Sequence, residues 1–322
     1  MRRIIGLGVR LAVLWCAWWV LAALGVHIAV PRLVEAEPGT EATLAGVGGF
    51  PGHFDIELTD LQLGDTAARW EGPALRLTAR AWNPAHFDLV LPPESELRLG
   101  AERLSLTSGN NRGEIALLPL PSLPFDRLEI ELGDVAVASN RGWAAALQGG
   151  VARIRQGEGD NSYDVDVDLA GLTLPPEVKR QIDLAGRQTD TIETVSLDAT
   201  AMFDARWDRH ALEGPRPQPV SVGIRAAEFI WGDLRISVEG RVEVVDGIPE
   251  GKVNLATPDW RALYDFAVAN QMIPPEDQGR VQTALGVLSL GGEGLSVPVT
   301  FQNGQMAIGP VPVGPAPELR IP

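Results

Sequence analysis

The sequence predicts a mainly β protein: an N-terminal transmembrane helix followed by a large, curved antiparallel sheet, AsmA-like or sandwich-like, with two or three short helices. Three observations carry this. One 20-residue apolar run lies near the N-terminus. Many short segments beyond it alternate apolar and polar residues with period two. Glycine (35) and proline (25) punctuate those segments, as frequent turns require.

Leu11 to Val30 reads LAVLWCAWWVLAALGVHIAV, with His27 as its one weakly polar member. A helix of that length spans ~30 Å, the thickness of a bilayer's hydrocarbon core. Arg2, Arg3 and Arg10 precede it, and Glu35, Glu37 and Glu41 follow. This asymmetry places residues 1–10 in the cytoplasm, 11–30 across the membrane as an uncleaved anchor, and the body outside. Trp15, Trp18 and Trp19 share one helical face, and an interfacial or lipid-facing position is expected for them, with a partner helix as the alternative. Cys16, the only cysteine, excludes an intrachain disulfide.

In the body, residues 31–308, Phe54, Ile56 and Leu58 alternate with charged and hydroxyl residues. So do Leu75 and Leu77, then Leu128, Ile130 and Leu132, then Tyr163, Val165, Val167 and Leu169. The pattern returns from Val195 to Ala201 and from Leu234 to Val244. Clean alternation gives one apolar and one wetted face, the mark of antiparallel sheet. Asn303-Gly304 predicts a type I′ hairpin pairing Phe301 with Met306 and Val299 with Ile308. Helices are expected after Thr257-Pro258-Asp259, near Pro275, and from Pro176 to about Ala185. The tail, residues 309–322, is proline-rich and expected to be extended.

All 42 acidic residues lie beyond residue 32, against 23 of the 27 basic ones. Such a body repels phosphate backbones, so no nucleic-acid partner is expected. No metal-binding pair of histidines, nucleophile elbow or P-loop occurs, so no catalytic residue, metal site or cofactor is assigned. Asp164, Asp166 and Asp168 have the spacing that opens a calcium loop. However, Leu169 stands where that loop needs glycine, and a solvated strand face is expected instead. Gly46 to Gly52 precedes a strand and so reads as a turn, with Phe50 as an aromatic plug. Trp82, Pro84 and His86 read as a strand-to-strand corner.

Gly49-Phe50-Pro51-Gly52-His53-Phe54-Asp55, then Trp82-Asn83-Pro84-Ala85-His86, Leu91-Pro92-Pro93, and the closing Pro298 to Gly314 stretch resemble, in this order, a proteobacterial membrane-anchored envelope family known as domain of unknown function 2125. That resemblance implies no established activity. A looser resemblance is to AsmA-like envelope proteins, which implies lipid handling in an apolar groove of a long periplasmic sheet. The function expected is a non-enzymatic, inner-membrane-anchored periplasmic protein that binds lipid or another amphiphile. The apolar lining would include Phe54, Ile56, Leu58, Leu75, Leu77, Leu128, Ile130, Leu132, Val165 and Val167. The alternative is a structural or interaction module with an envelope protein partner. If 14–18 strands lie side by side at ~4.8 Å, the sheet is ~70–85 Å long.

Overall fold

The computed structural model describes residues 2–36, 39–64, 67–109, 111–309 and 311–321. The side chains of residues 2–9, and with them Arg2 and Arg3, lie outside that description, as do Glu37 of the acidic flank and Pro310 and Pro322 of the tail. Helix α1 (Arg2–Ala36) is followed by an 18-stranded sheet in which every pairing is antiparallel. The body is one large antiparallel sheet, as the sequence predicts, and no separate second sheet is found among the described residues.

Strand β1 (Thr40–Gly48) pairs with β2 (His53–Gly64), and β2 with β3 (Ala68–Arg80). The sequence pattern starts the sheet only at Phe54. Two register shifts in β1, after Glu41 and after Leu44, break the alternation that would have disclosed it.

Beyond β3 the sheet is a meander of broken strands. β4 (Asn83–Val90) and β5 (Glu94–Leu99) both pair with β3, on its residues 76–80 and 68–71 respectively, so they lie end to end. β6 (Glu102–Ser108) returns along β5, and β7 (Arg112–Leu117) along β4. β8 (Phe125–Leu132) and β9 (Val135–Ser139) repeat the arrangement and rejoin on a single strand, β10 (Ala144–Gln156). The breaks fall at Leu91-Pro92-Pro93, between Gly109 and Asn111, and at Gly133-Asp134. Together they form a seam across the sheet. Proline cannot donate to a ladder, and glycine tolerates the close approach. A Cβ on Gly133 would lie 2.5 Å from the Gly109 carbonyl oxygen. The seam is stitched by Ser108 N to Pro93 O (2.8 Å), Gly109 N to Asp134 O (2.9 Å) and Gly133 N to Asn111 Oδ1 (3.2 Å).

From β10 the meander runs unbroken. It comprises β11 (Ser162–Thr173), β12 (Thr191–Phe203), β13 (Pro219–Trp231), β14 (Leu234–Val245), β15 (Ile248–Thr257), β16 (Leu295–Gln302), β17 (Gln305–Ile308) and β18 (Val311–Pro315). Asn303 (φ 52) and Gly304 (φ 72) are both left-handed, as a type I′ turn requires. Phe301 pairs with Met306 and Val299 with Ile308, as read from the sequence. The tail contributes β18 to the sheet. Beyond it, Leu319 N donates to Gly247 O (2.7 Å), and Ile321 exchanges two hydrogen bonds with the Gln218 side chain (both 3.0 Å).

The short helices are α2 (Pro176–Ile182), the single turn α3 (His210–Glu213), α4 (Trp260–Ala269) and α5 (Gln278–Leu288), one turn more than expected. The cap of α4 is Asp259, whose carboxylate accepts from the amides of Arg261 and Ala262. Thr257, the first residue of the capping pattern in the sequence, is held in β15 instead.

Candidate functional site

The pairing registers place all ten apolar residues singled out in the sequence on one face. One row starts at Val47 and crosses Ile56, Leu77, Leu89, Gly113 and Ile130. It continues through Ala152, Val167, Leu197, Ala227, Val238, Leu255 and Val297. A parallel row runs from Phe54 through Leu128, Ile154 and Val165 to Val299 and Ile308.

This face is covered at its two ends. At the β1–β4 end, Trp19, Ala22, Ala23, Val26 and Val30 of α1 pack on Phe54, Ile56, Leu58, Leu61 and Ala79, with Leu75 and Leu77 beside them. From the other end, Trp260, Tyr264 and Leu285 of α4 and α5 pack on Leu255, Leu295 and Val297, and Leu263 and Phe266 of α4 reach further in, onto Trp231 and Leu234 with Ile192, Val195 and Leu172 beside them. Between them Leu128, Ile130, Leu132, Val165 and Val167 are half-buried and belong to none of the helix-covered clusters. Aromatic layers flank the central stretch along the strand direction. Phe125, Tyr163, Phe203 and Trp207 are in successive ring contact at 5.7–5.8 Å on one side. Phe229, Trp231 and Phe266 stand on the other.

The tryptophan stripe of α1 faces the sheet. Trp15 Nε1 donates to Pro51 O (3.0 Å) and Trp19 Nε1 to His53 O (2.9 Å). Trp19 stacks on Phe54 at 5.3 Å, and Trp18 meets Phe54 edge-on at 5.8 Å. The partner of these aromatics is therefore the chain's own Gly49–Gly52 turn and β2. An indole N–H inside an apolar segment finds an acceptor where a carbonyl is presented, and Trp15 (37%) and Trp18 (39%) remain partly exposed beside that contact. Phe50, expected as a plug, is 52% exposed and touches Trp19 with its ring edge. The outward face of α1 is Leu14, Leu21, Leu24 and Ile28, all exposed, and Arg10–Arg32 is long and apolar enough to span a membrane.

A model of a family of uncharacterized proteins conserved in bacteria, DUF2125, matches residues 19–317. The chain belongs to the DUF2125 family. The match starts at the tryptophan that docks α1 on the sheet and ends just past β18, so the whole sheet of this DUF2125 protein lies inside the family's span. No match was found among curated proteins or solved structures.

The opposite face of the DUF2125 sheet is a ladder of charges. Asp55, Thr78, Asp88, Glu114, Glu129, Arg153, Asp166 and Asp198 stand in register across β2 to β12. Arg153 meets Glu129 at 2.8 Å and Arg155 meets Asp166 at 3.1 Å. The aspartates with calcium-loop spacing thus lie on a strand, and two of them are engaged by arginines. Arg225 is the extra residue of a bulge in β13. The bulge aims its guanidinium at Asp198 (Nε to Oδ1, 2.7 Å) and Asp164 (2.9 Å).

The Thr200 hydroxyl, 2.6 Å away, and then Arg225 hold the Asp164 carboxyl below its ordinary value. A depressed carboxyl stabilises the fold above its unfolded pKa, ~3.9, and that contribution is lost as pH falls through the folded value. Arg225→Met is expected to cost roughly 1 kcal/mol at neutral pH, since the groups are partly solvated. Urea titrations across pH should show the gap from wild type closing below about pH 4.

His86, Asp88 and Glu114 offer ligand atoms within 4.8 Å of one another. Arg127 already meets Glu114 at 2.7 Å and approaches His86 Nδ1 at 3.5 Å, so a guanidinium supplies the positive charge a metal ion would bring. At the seam, a cleft of about 510 Å³ opens between Pro93, Ser108, Asp134 and Gln148.

Proposed function

We propose that this protein is a non-enzymatic, membrane-tethered periplasmic protein that holds lipid or another amphiphile along the apolar face of its sheet. The observation that carries the reading is the central stretch of that face. Two apolar rows run in register across the sheet, and Leu128, Ile130, Leu132, Val165 and Val167 in them lie between the stretch under α1 and the stretch under α4–α5, in none of the helix-packed clusters. An apolar strip left without a protein cover marks a binding surface. Acyl chains fit it because their recognition needs burial alone, at roughly 25 cal/mol per Å², and no polar catalyst.

The polar face is satisfied by its own cross-strand ion pairs, so it does not compete for an apolar ligand. The acidic residues beyond the anchor and the basic ones before it orient the body to the outer side of the inner membrane. Native mass spectrometry of the full chain, released from membranes in mild detergent, is expected to show mass increments of co-purifying lipid. A chain that flies free of lipid, from preparations in which control lipid-binding proteins retain theirs, overturns the reading.

A further inference from the structure

We propose that the apolar surface beneath α1 is a second acyl-chain site, closed by α1 while the helix lies on the sheet and opened when the helix crosses the bilayer. This deepens the lipid-holding reading and rests on it. Helix α1 meets the sheet along a line. Trp15 and Trp19 donate to Pro51 O and His53 O, and Ala22, Ala23, Val26 and Val30 continue the contact over Phe54, Ile56, Leu58 and Leu61. All of these helix residues belong to Arg10–Arg32, the stretch long and apolar enough to span a membrane. A docked α1 that also spanned would carry β2 and β3 into the hydrocarbon. Their reverse face forbids this. Asp55 stands there opposite Thr78 and Glu57 opposite Arg76, and the Glu57 and Arg76 side chains are exposed and approach each other only to 3.6 Å. Charges that face acyl chains without water or a close partner are expelled from the bilayer core. Docking and spanning are therefore alternatives for the same helix.

Release of α1 uncovers a surface already suited to an apolar guest. Phe54, Ile56, Leu58, Leu61 and Ala79 are buried, with Leu75, Leu77 and Phe87 beside them, and none carries a charge or a hydrogen-bonding side chain. In water such a patch costs free energy in proportion to its apolar area, and acyl chains remove that cost without needing a polar partner. Its occupant in the docked state is a segment fit for hydrocarbon, so hydrocarbon is the natural substitute. The patch also leads into the open stretch: the row from Ile56 passes through Leu77, Leu89 and Gly113 to Ile130. Pro51 and His53 are exposed at the turn, so water replaces the departing indoles at their carbonyls. Helix α1 ends at Ala36 and β1 begins at Thr40, and Gly39, left-handed at φ 80 between them, gives a joint on which the helix can swing while the sheet stays intact. Ile56 stays dry in either state, under Val26 and Val30 or under acyl chains.

The test uses the full chain in phosphatidylcholine vesicles, beside a docked reference in water. In the reference, Leu14→Arg, Leu21→Arg and Leu24→Arg charge the exposed outward face of α1 and leave its sheet-facing side untouched. In both chains the photocrosslinker benzoylphenylalanine replaces Trp18, which meets Phe54 at 5.8 Å when α1 is docked. Position 18 is expected to join the 53–64 peptide in the reference and to join lipid in the vesicle-borne chain, with the yield on that peptide down several-fold. In chains that keep Trp18, phosphatidylcholine with a mid-chain diazirine is expected to label residues 54–61 of the vesicle-borne chain and to leave those of the reference, mixed with the same vesicles, unlabelled. Equal joining to the sheet in both chains, or none in the reference, removes the two-state helix and overturns the proposal. A released helix with residues 54–61 unlabelled and 165–167 labelled overturns it and leaves the lipid-holding reading standing. Labels missing from both stretches overturn the two together.

Discussion

Trp231→Ala is expected to destabilise the sheet by about 3–5 kcal/mol. Trp231 ends β13 at 2% exposure, packed with Ile192 and Leu234, and its ring meets Phe229 at 6.4 Å and Phe266 of α4 at 6.2 Å. Truncation removes the bridge between the sheet and α4, and it strips the Thr189 carbonyl of the indole N–H that donates to it at 2.9 Å. Thr189 is exposed, so water can replace the lost donor and the hydrogen bond itself adds only ~0.5–1.5 kcal/mol. Trp231→Phe keeps most of the apolar volume and loses only the hydrogen bond, so it should recover more than half of the loss. Urea unfolding of the full chain in detergent micelles measures both, and equal losses for the two variants would show that packing is not the larger part.

The two-residue alternation made β2, β3, β8, β11, β12 and β14 legible, because each has one face against apolar neighbours and one carrying polar and charged side chains. The 303–304 turn was legible for a stronger reason: Asn-Gly chemistry and the apolar register of Val299 and Phe301 against Ile308 and Met306 demand the same pairing. What escaped was irregular. β1 hides behind its register shifts, and the six- to eight-residue halves β4 to β7 and the five-residue β9 read as isolated fragments. Pro92-Pro93 reads locally as a turn, whereas it interrupts one long strand position whose halves are aligned by β3. That alignment is a non-local fact with no signature in the nearby residues.

The candidate site was legible as a list and not as a surface. Periodicity names the lining residues but does not say which strands a helix covers. The same alternation at Phe54-Ile56-Leu58 and at Val165-Val167 ends under α1 in one case and half-open in the other. The docking of α1 on the sheet was missed because a tryptophan stripe in an apolar helix is satisfied equally by lipid, a second helix or a turn. Only the positions of Pro51 O and His53 O decide among them. An internal turn rich in apolar residues shortly after an apolar helix was the available hint.

The difference between covered and open stretches of one face predicts opposite outcomes for one substitution. Ile56→Asp is expected to destabilise the protein by more than about 4 kcal/mol. Ile56 is 4% exposed beneath Val26 and Val30, where a carboxylate would have neither water nor a cation. Val167→Asp, near the middle of its row between Ala152 and Leu197, places the same group on a half-open strip. Water reaches it, so the stability cost is expected to stay near 1 kcal/mol, within the range of partly exposed sites. Its effect should appear in bound amphiphile instead, because a charge in the middle of an acyl-chain track must be desolvated whenever the track is filled. Denaturation midpoints for both variants, beside the lipid mass retained by Val167→Asp, separate stability from binding. A Val167→Asp chain as unstable as Ile56→Asp would mean that the centre of the face is sealed by the protein itself, and a stable variant with its full complement of lipid would place the lipid elsewhere.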